Sequence, residues 1–270
     1  MSGARPTLSI AMIARNEEAI LARTLESVRW ADEIVIVDSG STDRTPEIAR
    51  SFGARHIFNR DFRGFGPQKD LAIDTCTSDW IYLLDADEVV TPELAEEIRQ
   101  TIAAPKFDAY WQPRINLFMD RWIRHGGFYP DKKLRLFRRG SAHMAGAEPH
   151  GSPQCTCPSG SLTHALQHYA YPSFRKYLSH MNGYSSDGAA ALAARGKRSE
   201  SLFAFTANAL LNPVLTFVKN YFFRLGFLDG RQGLILHINH SVYVHWKYVK
   251  AWESARSRGS AHGQPGDTES

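Results

Sequence analysis

Three carboxylates fall within four positions at Asp85-Ala86-Asp87-Glu88, directly after the apolar run Trp80-Ile81-Tyr82-Leu83-Leu84. On an extended backbone Asp85 and Asp87 share a face, because side chains alternate along a strand. Carboxylates held that close repel one another and desolvate poorly unless a cation lies between them. Such oxygen ligands suit a hard divalent ion, Mg2+ or Mn2+, which can also hold the phosphates of a substrate. A plainer reading is a polar turn ahead of a helix, since Thr91-Pro92-Glu93 supplies an N-cap, a first-position proline and an acidic first turn. The two readings are compatible, with the helix starting just beyond the acids.

A second set of polar groups lies between residues 111 and 139. Lys132-Lys133-Leu134-Arg135-Leu136-Phe137-Arg138-Arg139 reads as a strand that buries Leu134 and Leu136 and shows Lys133 and Arg135 on its other face. Charge of that kind, Arg135 above all, could grip the phosphates of a ligand. A solvated face is the plainer alternative. Trp111, Trp122 and Tyr129 have the ring surface to stack on sugars, though core packing is an equal use for an aromatic.

The elements that must position these groups alternate in type. Thr7–Ala14 and Ile34–Val37 are apolar and β-branched enough for central strands, and residues 54–58 suit a third. Between them, Arg15-Asn16-Glu17-Glu18 opens one amphipathic helix and Thr45-Pro46-Glu47 another. Phe65 to about Thr77 is a further helix before the acidic strand. This alternation predicts an α/β fold with a mainly parallel sheet flanked by helices, of nucleotide-binding type. Ligands of such sheets sit beyond the carboxyl ends of the strands, where Asp38, Asp85 and Asp87 all fall.

With 270 residues and 43% hydrophobic content, the chain can bury a sizeable core. Its net charge of +4 is uneven: residues 1–150 carry 20 Lys/Arg against 22 Asp/Glu, and residues 151–270 carry 12 against 6. A basic, aromatic C-terminal part points to an anionic partner or membrane surface. No helix-turn-helix, zinc-finger or RNP pattern supports nucleic acid as that partner. Cys76, Cys155 and Cys157 imply no disulfide framework, and no signal-peptide core opens the chain, so a cytoplasmic location is expected.

Three blocks, Ser9-Ile-Ala-Met-Ile-Ala-Arg-Asn-Glu-Glu18, Val37-Asp-Ser-Gly-Ser-Thr-Asp43 and Leu84-Asp-Ala-Asp-Glu88, resemble the inverting family 2 glycosyltransferases of GT-A fold, in the family's order and spacing over roughly residues 7–150. Gly126-Gly-Phe-Tyr-Pro-Asp131, Leu134-Arg-Leu-Phe137 and Phe227-Leu-Asp-Gly-Arg-Gln-Gly233 look most like the bacterial lipopolysaccharide-core β-1,4-glucosyltransferase group. The resemblance implies that Asp38 contacts the uracil or ribose of a nucleotide donor, although an Asx turn with Ser39-Gly40 is its structural alternative. Arg15 and Glu17 would line the same pocket, and Lys69 would lie near the donor. Asp87 would ligate the metal of this DXD motif directly, and Asp85 would reach ribose or metal through water. Glu148, in Ala147-Glu-Pro-His150, falls where the family places its general base, and His168 would be a further metal or phosphate contact. The expected partners are a nucleotide-sugar donor, a UDP-sugar first, and a glycolipid or oligosaccharide acceptor. Nucleotidyl transfer is a competing reading, but it usually displays a Gly-rich phosphate loop, and residues 8–20 hold no glycine. A non-catalytic nucleotide-sugar or glycan-binding module is the third.

The expected domains are a catalytic part over 1–170, a helical appendage over 171–253 and a disordered tail over 254–270. Within the appendage, Leu202 to Leu228 is apolar but interrupted at Asn212-Pro213 and carries Lys219 and Arg224. That reads as amphipathic helices lying on the cytoplasmic face of a membrane rather than a bilayer span. Packing or a dimer contact would use the same surface.

Overall fold

A computed structural model of the chain describes residues 5–144, 153–196 and 201–261, with side chains through Arg256. Its strands in chain order are β1 (Leu8–Ala14), β2 (Glu33–Asp38), β3 (Arg55–Phe58), β4 (Trp80–Asp85), β5 (Glu88–Val89), β6 (Ala109–Phe118), β7 (Arg121–Ile123), β8 (Asp131–Arg138), β9 (His143–Met144), β10 (Pro153–Gln154), β11 (Ser159–Ser161) and β12 (Leu166–Tyr171). The helices are α1 (Leu21–Ser27), α2 (Thr45–Ser51), α3 (Phe65–Thr75), α4 (Pro92–Ala103), α5 (Phe174–Ala194), α6 (Leu202–Thr206), α7 (Asn212–Val218) and α8 (Gly230–Ala261). The chain forms two compact units, Met1–Asn116 with Pro130–Tyr169, and Leu117–Tyr129 with Ala170–Ser270.

The first unit is built on a mixed sheet of order β3-β2-β1-β4-β8-β6-β12-β5. Strands β3, β2, β1 and β4 are parallel, and β8 joins β4 and β6 antiparallel. The central strands are continuous apolar runs because both of their faces are covered. Ile10, Met12, Trp80, Tyr82 and Leu84 face one core with Leu21, Leu25, Leu94 and Ile98 from α1 and α4. Ala11, Val35, Val37, Ile81 and Leu83 face the other, with Ala72 and Ile73 of α3. Thr91 caps α4 by accepting from Leu94 N–H at 3.2 Å, as its position ahead of Pro92 predicts.

From β1 the chain moves outward to β2 and β3, then returns to the other side of β1 as β4. The loops leaving β1 and β4 diverge at that switch point, which opens a crevice at the carboxyl edge of the sheet. Asp38 pairs in register with Ala14, and Asp85 with Ile13. The two acids therefore stand at the same edge, two strand spacings apart, or roughly 10 Å.

Helix α1 begins at Leu21, later than the sequence suggests. Asn16 adopts a left-handed φ of 55°, and the residues after it are held by the β2–α2 loop instead of by a helix. Cys155 and Cys157 are joined as a disulfide, whereas three cysteines in the sequence implied no disulfide framework.

The second unit is helical. Ser173 caps α5, and Gly196 follows that helix with a φ of 70°, suiting a glycine. Residues 202–223 form one continuous helical stretch, with π-helical turns at Ala207–Leu211 and Lys219–Phe223. The interruption expected at Asn212-Pro213 is thus a local widening of the helix. Pro213 has no N–H to return to the Ala209 carbonyl, and that oxygen instead accepts from His245 Nδ1 at 2.6 Å. Helix α8 runs to Ala261, past Ser254, where the sequence suggested that order would end.

Candidate active site

The β1 and β2 loops at the crevice are stitched together. Asn16 N–H donates to Ser41 Oγ at 2.9 Å, while Asn16 Oδ1 accepts from Thr42 N–H at 2.8 Å. Glu17 N–H donates to Thr45 Oγ1 at 2.8 Å, and Glu18 N–H to Asp43 Oδ2 at 3.1 Å. Arg15 lies exposed at the start of this loop. Asp38 is fully buried: Oδ1 accepts from the Gly40 and Ser41 amides at 2.9 and 2.7 Å, and Oδ2 lies 3.0 Å from His56 Nε2. Of its two expected uses, the Asx turn is the one its contacts describe. Its carboxylate braces the loop that ends β2, and Gln68 extends the brace by donating to Ser39 Oγ at 3.0 Å.

At the end of β4, Asp85 is gripped by two cations. Lys69 Nζ lies 2.8 Å from Oδ1, and Arg135 Nη2 donates to Oδ2 at 2.7 Å. Burial alone would raise the Asp85 pKa, but Arg135 and then Lys69 hold it well below the usual carboxylate range. Glu88, wholly buried, accepts from Arg135 Nη2 at 2.6 Å and from Arg114 Nη1 at 3.0 Å, while its Oε2 accepts from the Asp85 amide at 2.9 Å. Arg114 also reaches Asp131 at 2.6 Å. Arg135 Nε is buried without a hydrogen-bond partner. Both Asp85 oxygens are thus taken by protein cations.

Asp87 Oδ1 stands 3.4 Å from His168 Nε2, and both side chains are mostly buried. The ladder between β5 and β12 sets this pair, with His168 opposite Glu88 and the Tyr169 N–H donating to the Asp87 carbonyl at 2.9 Å. His168 Nδ1 meets Asn116 Oδ1 at 2.7 Å. An amide oxygen only accepts, so Nδ1 carries a proton, and Nε2 is the nitrogen turned towards Asp87. At that separation the Asp87 carboxylate and Nε2 are bridged either by a proton on the ring or, where Nε2 offers a lone pair, by a cation. Among the described residues no three His, Cys, Asp or Glu side chains form a complete metal cage. One carboxylate and one imidazole nevertheless fit an ion that draws its remaining ligands from substrate phosphates and water. Glu148 lies outside the described residues.

The structure brings Lys69, Asp85, Asp87, Arg135 and His168, each singled out in the sequence, to one end of the sheet, together with Arg114, Asn116 and Glu88, to which the sequence reading gave no part. The signal was present: Gln112, Arg114 and Asn116 recur at every second position of an otherwise apolar strand, which puts them on one face. Trp111 is more than a third exposed and donates from its indole to Ser159 at 3.1 Å.

A switch-point crevice with a braced β2 loop and acids after β4 is the architecture of a GT-A glycosyltransferase. The chain belongs to glycosyl transferase family 2, whose model matches residues 9–155. It is 32% identical over 243 residues to an uncharacterized glycosyltransferase of Rickettsia felis, across 84% of this chain and 83% of that one. It is 27% identical over 263 residues to the lipopolysaccharide core biosynthesis glycosyltransferase LpsC of Rhizobium meliloti, covering 91% and 92%. Among solved structures, the mannosyltransferase PcManGT of Pyrobaculum calidifontis, in complex with GDP-mannose and Mn2+, aligns over 93% of this chain and 88% of its own, with a TM-score of 0.53 at 16% identity. That likeness supports the fold. The protein is therefore an enzyme of glycosyl transfer, and the nucleotidyl-transfer reading falls.

Proposed function

We propose that this enzyme moves a sugar, glucose first among those expected, from a UDP-sugar to an acceptor of the lipopolysaccharide core or another lipid-linked glycan, with inversion to a β-linked product. LpsC's role in core biosynthesis supports the acceptor class, and PcManGT's complex with a nucleotide sugar and Mn2+ supports a metal-assisted donor. The observation that carries the reading is the grouping after β4: an Asp87–His168 pair suited to a cation, beside Asp85 held by Lys69 and Arg135.

In this reading Asp87 and His168 hold Mg2+ or Mn2+. The ion supplies positive charge against the leaving nucleoside diphosphate. Asp85 accepts from the ribose hydroxyls. Lys69 and Arg135 turn charge towards the pyrophosphate. Asp38 shapes the loop that, with Arg15 and Glu17, surrounds the base. Glu148 takes the proton of the acceptor hydroxyl. The exposed apolar helix of the second unit rests peripherally on an anionic membrane, on its cytoplasmic face, where a lipid-linked acceptor is found.

A thermal-shift panel of UDP-glucose, other UDP-sugars, GDP-mannose and ADP-heptose, with and without Mn2+, tests the donor, since a ligand of the native state raises its apparent stability. UDP-glucose with Mn2+ should give the largest shift. Asp87→Ala should erase the Mn2+-dependent part and lower turnover by more than about 100-fold. An Asp87→Ala enzyme that keeps both would remove the metal role from this residue.

A further inference from the structure

We propose that Asn116 is a positioning residue that fixes His168 in the Nδ1–H tautomer and so presents an unprotonated Nε2 towards Asp87. The inference rests on the reading that Asp87 and His168 share a divalent cation, and it adds a residue to which neither the sequence motifs nor that reading gives a part.

A neutral imidazole has one N–H, and its second nitrogen binds a metal only through its lone pair. Which nitrogen is free is decided by the hydrogen bond made by the other. Here the partner of Nδ1 is the Asn116 side-chain oxygen, at 2.7 Å. Were the amide reversed, its NH2 would donate to Nδ1, and the proton would move to Nε2, pointing at Asp87 Oδ1 across 3.4 Å. The ring would then hydrogen-bond the carboxylate and occupy the place of a cation. The orientation of one amide therefore decides between a metal ligand and a closed His–Asp pair.

The surroundings hold Asn116 in place. It lies on β6, which neighbours β12, the strand carrying His168. Two residues earlier on the same face, Arg114 is tied to Asp131 at 2.6 Å and to the wholly buried Glu88 at 3.0 Å. Glu88 is in turn the residue opposite His168 in the β5–β12 ladder. Asn116, His168 and Asp87 are thus fixed by neighbouring strands of one sheet.

The test uses the full chain labelled with 15N-histidine. Long-range 1H–15N correlation reads the His168 tautomer directly, and the EPR signal of free Mn2+, titrated in the presence of UDP, reads metal affinity. Wild type should show the Nδ1–H form. Asn116→Leu, which has no acceptor, should lose that form and bind Mn2+ about 10–100-fold more weakly, the usual effect of removing a residue that orients a metal ligand. Asn116→Asp, which keeps an acceptor at the same place, should restore both. If His168→Ala leaves Mn2+ affinity unchanged, the cation reading fails, and the tautomer spectrum still judges Asn116. If His168→Ala weakens Mn2+ but Asn116→Leu changes neither tautomer nor affinity, the inference about Asn116 is overturned alone. Should Asn116→Leu fail to fold, wild-type His168 protonated at Nε2 would overturn it equally.

Discussion

Arg135 is the residue on which the charges of the first unit converge. Its side chain is 4% exposed and bonds Asp85 and Glu88 through the same nitrogen, Nη2. Burial opposes its charge, yet Asp85 and then Glu88 raise its pKa above the ordinary arginine value. Replacing one partner of such a buried set strands the others, which costs more than the set contributes as a whole. Arg135→Leu should therefore destabilise the first unit by about 3–5 kcal/mol, chiefly through Glu88, which among the described residues would keep Arg114 as its only remaining cationic partner. Urea unfolding of both proteins measures this, and equal midpoints would show that the network is dispensable to the fold. The acidic run and Arg135 were legible in the sequence because charge after an apolar strand is conspicuous. Their mutual pairing was not, since Asp85 and Arg135 are separated by 50 positions.

At the scale of elements, β6 and α8 carry most of what the sequence left unread. The period-two polar face of β6 brings Gln112, Arg114 and Asn116 to one side, and only the neighbouring strands give that side a purpose. In α8, His240 stacks on Tyr243 with ring centres 5.4 Å apart and meets the edge of Phe128 at 5.3 Å. Burial first, then His237 and Lys247, pushes its pKa down to about 4. An unfolded histidine titrates near 6.5, so between about 6.5 and about 4 the unfolded chain binds a proton that the folded chain refuses. Stability should be full above that window and fall as pH falls through it. Denaturation midpoints of wild type and His240→Phe from pH 7.5 to 4.5 check this, with the variant expected to lose part of the slope. Parallel curves would show that His240 is protonated as readily folded as unfolded.

For the molecule as a whole, the distribution of apolar surface matters most. Leu202, Phe203 and Phe223 are 82%, 84% and 81% exposed, and the 22-residue helical stretch they bound is apolar with few of its residues buried. By length and composition it could cross a membrane, so the argument from interruptions that set a span aside no longer holds. Surface contact, with Lys219 and Arg224 against anionic head groups, remains the proposal. Leu202→Ser, Phe203→Ser and Phe223→Ser together change only exposed side chains, so the fold should survive. Co-sedimentation with phosphatidylglycerol-containing vesicles should drop by about 10-fold or more, on the scale of burying several large side chains. Undiminished binding, or binding equal on neutral vesicles, would sink the anionic-surface reading.

By itself, the sequence determined the alternation of strand and helix, the carboxyl-edge location of Asp38, Asp85 and Asp87, and the family, because each is written in local periodicity or short spacing. The tertiary structure decided which side chains each carboxylate meets. Lys69 and Arg135 reach Asp85 only because α3 packs over the sheet face that Ile81 and Leu83 share and β8 pairs with β4, and His168 reaches Asp87 only because β12 pairs with β5. Charge partners chosen across a sheet depend on strand order, and no pattern within a single segment encodes that order.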